Sequence, residues 1–265
     1  MRKKILVIRA DEFRHKALSH SIKENGFVIH EIIEKKAIRK IPYTSDLMNL
    51  HFELRRQTEL KYFSELVCKT ELKEYEQLVT HDINNSTALS FAQNFNPDLV
   101  ITFGCSILTH YWIKIFGNRI LGIHLGLSPY YRGSGTNFFP FVNNELGAVG
   151  YSLMKLNEGI DTGDIIHQAY ASFEPNDDIH IVGTRLIKKM LDDILKLIKI
   201  SDLKSQFELA KKQPRIENSR IYRRKDFTVE TLTKALRNIE NNSVGDYLKN
   251  TILEQNKFPL IRQIT

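Results

Sequence analysis

Ile120-Leu-Gly-Ile-His-Leu-Gly-Leu-Ser-Pro-Tyr-Tyr-Arg-Gly-Ser-Gly-Thr136 is the stretch on which the reading of this chain turns. Ile120, Leu121, Ile123 and Leu125 make an apolar run too short for a helix, so residues 119–125 are expected to form a buried strand. His124 then falls at the strand's carboxyl end, where open α/β sheets bind their ligands. Ser128-Pro129 ends the element, and Gly133-Ser-Gly135 lets backbone amides come close to a ligand. Arg132 adds a planar cation matched to phosphate or carboxylate. The combination suits an anionic substrate beside a proton-transfer group.

A second segment supplies carboxylates. Tyr151-Ser-Leu-Met-Lys-Leu156 alternates weakly and is expected to be a strand, and residues 165–171 another. Between them Asn157-Glu-Gly-Ile-Asp-Thr-Gly-Asp164 reads as a glycine-punctuated turn carrying Asp161 and Asp164. A carboxylate beside a histidine orients the imidazole for proton transfer. Without further context Asp161 and Asp164 are equally well explained as turn formers, Arg132 as half of a surface salt bridge, and His124 as a core histidine.

Outward from these two segments, alternation of short apolar runs with amphipathic stretches continues to the amino terminus. Strands are expected at 5–9, 27–33, 78–83 and 99–103, and helices at 12–25, 46–76, 85–95 and 180–199. Phe52, Leu60, Phe63 and Leu66 stripe the long helix, Asn25-Gly26 and Asn96-Pro97 stop two others, and Pro175-Asn-Asp-Asp178 reads as a cap. Such an order argues an α/β fold with a doubly wound, mainly parallel sheet. Residues 1–200 are expected to form the catalytic domain. Residues 201–265 are expected to form a short basic linker and a helical carboxy-terminal extension, with its helix around 228–253.

At 265 residues the chain can bury a full core, and its net charge of +7 leans toward anionic partners. Cys68 and Cys105 are too few for a disulfide framework, which fits a reducing cytoplasm. No segment approaches the roughly 18 apolar residues of a membrane span, and the basic start with its short apolar run reads as a first strand, not a signal peptide. The histidines other than His124 lack metal-ligand spacing, so no metal is expected. Residues 185–225 carry 13 Lys or Arg against 5 Asp or Glu. They read either as a solvated helix face and linker or as an electrostatic funnel for a phosphate backbone.

The run His124-Leu-Gly-Leu-Ser-Pro-Tyr-Tyr-Arg-Gly133, then Gly147-Ala-Val-Gly150, then Asp161-Thr-Gly-Asp-Ile165 resembles the formyltetrahydrofolate-dependent formyltransferases. This superfamily includes the glycinamide ribonucleotide, methionyl-tRNA and nucleotide-sugar formyltransferases. The resemblance is strong over about 95–190 and loose toward the amino terminus. It implies a formyltransferase-like Rossmann variant, with 10-formyltetrahydrofolate as co-substrate. It also implies a catalytic trio of an asparagine, a histidine two residues later and the first aspartate of the turn. His124 and Asp161 match; the asparagine position is Gly122. In the family that amide helps hold the developing oxyanion, and loss of one such donor costs about 100- to 1,000-fold in rate. Asn137 or Ser128 would have to substitute, or the chain is a slow or inactive relative.

By the same resemblance, Tyr131, Arg132, Gly133, Ser134 and Asn137 would hold the acceptor substrate. Phe103, Gly104, Ser106, Ile107, Leu108 and Ile160 would hold the folate, largely through backbone groups. The motif wording is closest to relatives that formylate amino sugars on nucleotide carriers for surface polysaccharides. The short helical tail counts against a tRNA substrate, since methionyl-tRNA formyltransferases carry a larger carboxy-terminal β domain. A formyltetrahydrofolate hydrolase, a glycinamide ribonucleotide enzyme and a non-catalytic binder stay open, as does a homodimer.

Overall fold

Lys-Ile-Leu-Val-Ile-Arg, the first apolar run, forms β1 (Lys4–Arg9) at the centre of a sheet in the computed structural model. The structure describes residues 2–35, 45–69, 76–217 and 219–264. β1 pairs in parallel with β2 (Val28–Glu34) on one side and with β4 (Leu99–Phe103) on the other. β3 (Gln77–Thr80) extends the sheet beyond β2, and β5 (Ile120–His124) extends it beyond β4, all parallel. Along β1, Ile5 and Val7 enter one core while Leu6 and Ile8 enter a second, all fully buried. A strand apolar on both faces needs helices on both, which is why the run is continuous and not alternating.

Those helices are α1 (Phe13–Glu24), α2 (Asp46–Lys69) and α6 (Ile179–Lys199) on the first face, through residues such as Leu18, Phe63 and Met190. On the second face α3 (Ser86–Phe95) and α4 (His110–Phe116) bring Ala88, Ala92 and the fully buried Trp112. The Trp112 indole donates to Ile83 O at 3.2 Å, so its one polar atom is satisfied. Asn85 caps α3 through Ala88 N, and Asp178 caps α6 through His180 N and Ile181 N. The doubly wound, mainly parallel architecture is therefore present. The helix expected over 46–76 spans Asp46–Lys69, with residues 70–75 outside the described ones.

Beyond β5 the topology changes. β7 (Gly150–Lys155) lies antiparallel to β5, and β8 (Ile165–Tyr170) antiparallel to β7, giving the order β3-β2-β1-β4-β5-β7-β8. The loop joining β7 to β8 turns back over β5, so that Asp161 reaches the strand's carboxyl end. Between β5 and β7 lie β6 (Tyr131–Gly133) and α5 (Phe139–Asn143).

After α6 come α7 (Leu203–Glu208), β9 (Arg220–Tyr222), α8 (Val229–Glu240), α9 (Ser243–Lys249) and α10 (Thr251–Asn256). β9 pairs in parallel with β6 as a separate two-stranded sheet, a pairing of three-residue strands too short to leave a periodic signal. The helical carboxy-terminal region is three helices, because Asn242 at φ 67 breaks the first from the second and Asn250 caps the third. α8 buries Leu232 and Ala235 in the first core beside α5. The basic stretch is extensively paired: Arg185 clamps Asp177 at 2.7 and 3.0 Å, Lys189 and Lys196 flank Asp193, and Arg220 grips Glu145.

Candidate active site

The strand ends of β1, β4 and β5 share one edge of the sheet, and His124 stands at the last of them. Its side chain is 7% exposed, with Nδ1 3.3 Å from Asp161 Oδ2. Nε2 lies 2.9 Å from the carbonyl oxygen of Tyr131, which can only accept. Both ring nitrogens thus face oxygen acceptors. The hydrogen bond is the one from Nε2 to the Tyr131 carbonyl, while Nδ1 stands at ion-pair distance from Asp161. Asp161 Oδ2 also accepts from Gly133 N at 2.7 Å, so the carboxylate joins the histidine to β6. Asp161 is 24% exposed and is the member of the pair that solvent reaches. It sits at φ 51, a left-handed conformation that Asp tolerates better than most residues.

A buried polar network sets the loop behind His124. Ser152 Oγ donates to Gly126 O (2.7 Å) and accepts from Ser128 N (3.0 Å), while Gln168 Nε2 reaches both Ser128 O and Ser152 Oγ. Gln168 Oε1 accepts from Ile261 N, so the carboxy-terminal residues complete the network. Ser128, Ser152 and Gln168 are fully buried; such groups rigidify a loop only when paired, as these largely are.

The residues expected to hold the acceptor are spread over several tasks. The side chain of Tyr131 is fully buried, its hydroxyl donating to Glu145 and accepting from Asn143 Nδ2; what it presents to His124 is its carbonyl. Burial and the Glu145 carboxylate push its phenol well above the usual range. Arg132 Nη2 donates to Ser219 Oγ at 2.9 Å, and its Nε is enclosed without a partner. Gly133 has φ 92, and a Cβ there would lie 2.0 Å from Tyr222 O, so no other residue fits. Ser134 N is committed to Tyr222 O, and the Asn137 amide lies against Gly183 on α6.

On the donor side, the loop 104–109 follows β4. Phe103 and Leu108 are core side chains, and Gly104 turns at φ 69 with His15 packed where a Cβ would be. Ser106 N donates to Glu34 Oε2 at 2.7 Å. Asn84 clamps the loop like a second peptide strand, giving Nδ2–H to Ile107 O (3.0 Å) and accepting Thr109 N (2.9 Å). Glu34 and Asn84 carry no signal in the sequence: one follows the apolar run of β2 and the other precedes the cap of α3. Ile107 and Ile160 keep apolar side chains 62% and 50% exposed, on this loop and on the aspartate turn.

Gly122 shares the His124 face of β5. A Cβ built on it would stand 2.6 Å from Leu156 Cδ2, so Leu156 fills the space an asparagine would enter. Among the described residues no cluster of three or more His, Cys, Asp or Glu could hold a metal ion, and no helix is long and apolar enough to cross a membrane. Among the described residues, open depressions lie elsewhere: one of about 300 Å³ at the opposite strand ends by Leu99 and Arg119, another of about 430 Å³ between β8 and α9.

Residues 55–194 match the formyl transferase family, which is more than half of the chain, and the protein belongs to that family. It is 28% identical over 124 residues to a methionyl-tRNA formyltransferase of Finegoldia magna, covering 43% of this chain and 39% of that protein. It is 29% identical over 126 residues to a GDP-perosamine N-formyltransferase of Brucella melitensis, covering 46% of this chain and 48% of that one. The matched region thus spans less than half the length of either relative. In fold it is similar to an N-formyltransferase of Helicobacter canadensis solved with folinic acid and dTDP-3-aminofucose. The TM-score is 0.57 at 18% identity, over 90% of this chain and 80% of that one.

Proposed function

We propose that this protein is an N-formyltransferase that moves the formyl group of 10-formyltetrahydrofolate to the amine of a nucleotide-linked amino sugar. The observation that carries the reading is the His124–Asp161 contact at 3.3 Å, flanked by the loop 104–109 on one side and β6 on the other. Bound formyltetrahydrofolate supplies an electrophilic formyl carbon on a nitrogen that can leave. The exposed apolar faces of Ile107 and Ile160 suit a flat pterin ring. The acceptor nitrogen forms its bond to that carbon and loses a proton, while the carbon–nitrogen bond to the folate breaks and the folate nitrogen gains one. Asp161, as the more exposed member, exchanges protons with the reactants directly or through water. His124, oriented and charged by Asp161, assists the proton transfer, and the Tyr131 carbonyl holds its ring. Holding both reactants in one groove supplies much of the remaining acceleration. The choice of acceptor is supported by the Brucella relative, named for GDP-perosamine, and by the Helicobacter structure, solved with dTDP-3-aminofucose.

One observation favours a second reading, a folate binder without chemistry: Leu156 covers Gly122 where the family's asparagine amide belongs. Calorimetric titration with 5-formyltetrahydrofolate comes first, followed by 10-formyltetrahydrofolate with a panel of nucleotide-linked amino sugars. Micromolar binding with tetrahydrofolate release only when an amine is present supports the transferase. Binding without turnover supports the binder, formate release without any amine supports a hydrolase, and no binding ends the proposal.

A further inference from the structure

The carboxy-terminal part of the chain returns to the site in two places. At 211–213, Lys211 exchanges both backbone hydrogen bonds with Ile165, at 2.7 and 2.9 Å. Gln213 Nε2 then donates to two carbonyls of the aspartate turn, Gly163 O at 2.7 Å and Asp161 O at 2.9 Å. At 219–222, Ser219 Oγ donates to Pro129 O at 2.6 Å, and β9 pairs with β6. One contact region therefore holds the turn that carries Asp161. The other holds the segment whose Tyr131 carbonyl and Gly133 amide meet His124 and Asp161.

Gln213 is matched to its place. Asp161 keeps a left-handed backbone at φ 51, which Asp adopts at some cost and which hydrogen bonds to the turn help to hold. The two turn carbonyls converge on one nitrogen, and a primary amide has two protons to give them. The amide's other atom, Oε1, is enclosed with no hydrogen-bond partner, so the two carbonyls alone set the orientation of the group. A carboxylate in the same shape would set oxygen against oxygen.

We propose that Gln213 is a positioning residue for Asp161: it locks the turn so that one carboxylate oxygen faces Gly133 N and His124 Nδ1 together. Only the kinetic part of the test rests on the formyl-transfer reading. The full chain would carry Gln213→Leu, which keeps the bulk and removes the donors, and Gln213→Lys, which restores a donor. The first readout is the ¹⁵N chemical shifts of the two His124 ring nitrogens. Nδ1 is expected to move in the Leu variant while Nε2, held by Tyr131, stays, and the Lys variant is expected to recover part of the change. The second is turnover with an acceptor found by the screen. Here kcat should fall about 10- to 100-fold in the Leu variant with KM for the acceptor altered less than about threefold, the pattern of a misplaced group. A wild-type Nδ1 shift in the Leu variant, or a Lys variant indistinguishable from it, overturns the proposal. If the Leu variant does not fold, the Lys variant against wild type decides: retention of the wild-type Nδ1 shift supports donation, and loss of it refutes donation. A wild type that transfers no formyl group would sink the proposed function while leaving the nitrogen shifts to judge Gln213.

Discussion

The sheet before Gly104 and the sheet after it are built differently. The first half is four parallel strands whose partners are successive apolar runs, sandwiched by helices on both faces. The second half has two reversals of direction and glycines at places where a single added carbon collides: Gly122 with Leu156, Gly133 with Tyr222 O, Gly163 with Lys155 O. Burial of apolar side chains, each contributing roughly 1.5–3 kcal/mol, carries the first half. The second buries apolar side chains as well, from Leu121 and Leu153 to Ile166, and adds named hydrogen bonds between distant residues; it is there that His124 and Asp161 meet. The regular half provides a rigid edge, and the irregular half places atoms against it.

The contrast can be broken at the site itself. His124→Ala should lower formyl transfer about 100- to 10,000-fold while 5-formyltetrahydrofolate binds within about threefold of wild type. Turnover at the wild-type rate would remove His124 from the chemistry. A structural break comes from Gly133→Ala, which forces a methyl against a backbone oxygen at positive φ. We expect a loss on the order of 3 kcal/mol by urea denaturation, well above that of an alanine at an exposed loop glycine. An unchanged midpoint would mean the β6–β9 contact is not needed for stability.

Gly122→Asn sharpens the comparison between Gly122 and the family's asparagine. Alone it should destabilise by about 1–3 kcal/mol through overpacking against Leu156. Combined with Leu156→Ala the two costs should sum to less than their separate values, as residues in contact do. If the missing amide limits the rate, the double variant gains about 100-fold or more in kcat; no gain counts against that explanation.

At neutral pH the smallest effect is one of pH, because it grows only as the solution turns acid. His51 packs among Phe52, Phe138, Phe227 and His180. Burial first, then His180 and Arg55, push it from 6.5 down to about 3. The folded chain therefore keeps it neutral where the unfolded chain is protonated. The unfolded state binds more protons below about 6.5, so stability falls as pH drops from there toward about 3. His51→Phe should remove up to about 1.4 kcal/mol per pH unit of that slope. Parallel stability–pH curves for the variant and wild type would show that His51 does not contribute.

Much of this was legible in the residues. Apolar runs located the strands of the main sheet, the Asn96-Pro97 stop ended α3, the Asp178 cap region opened α6, and the ordered motif pointed to His124 and Asp161. What stayed hidden depends on contacts far apart in sequence. Asn84 with the loop 104–109, Glu34 with Ser106 and Gln213 with Asp161 leave no periodicity, because each is a single polar side chain meeting one or two backbone atoms. Tyr131 illustrates the same limit. Its place in the motif suggested substrate contact, yet its hydroxyl is turned toward Glu145 by a residue fourteen positions away.

The network behind His124 closes only when Gln168 receives Ile261 N and gives its own N–H to Arg262 O. During synthesis the parallel half can condense once α6, which covers its first face, has left the ribosome. The catalytic loop has to wait for residues 261 and 262 to emerge before its last hydrogen bonds exist. A nascent chain stalled short of that point would hold a folded sheet with an unfinished site, so competence arrives after the scaffold and not along with it.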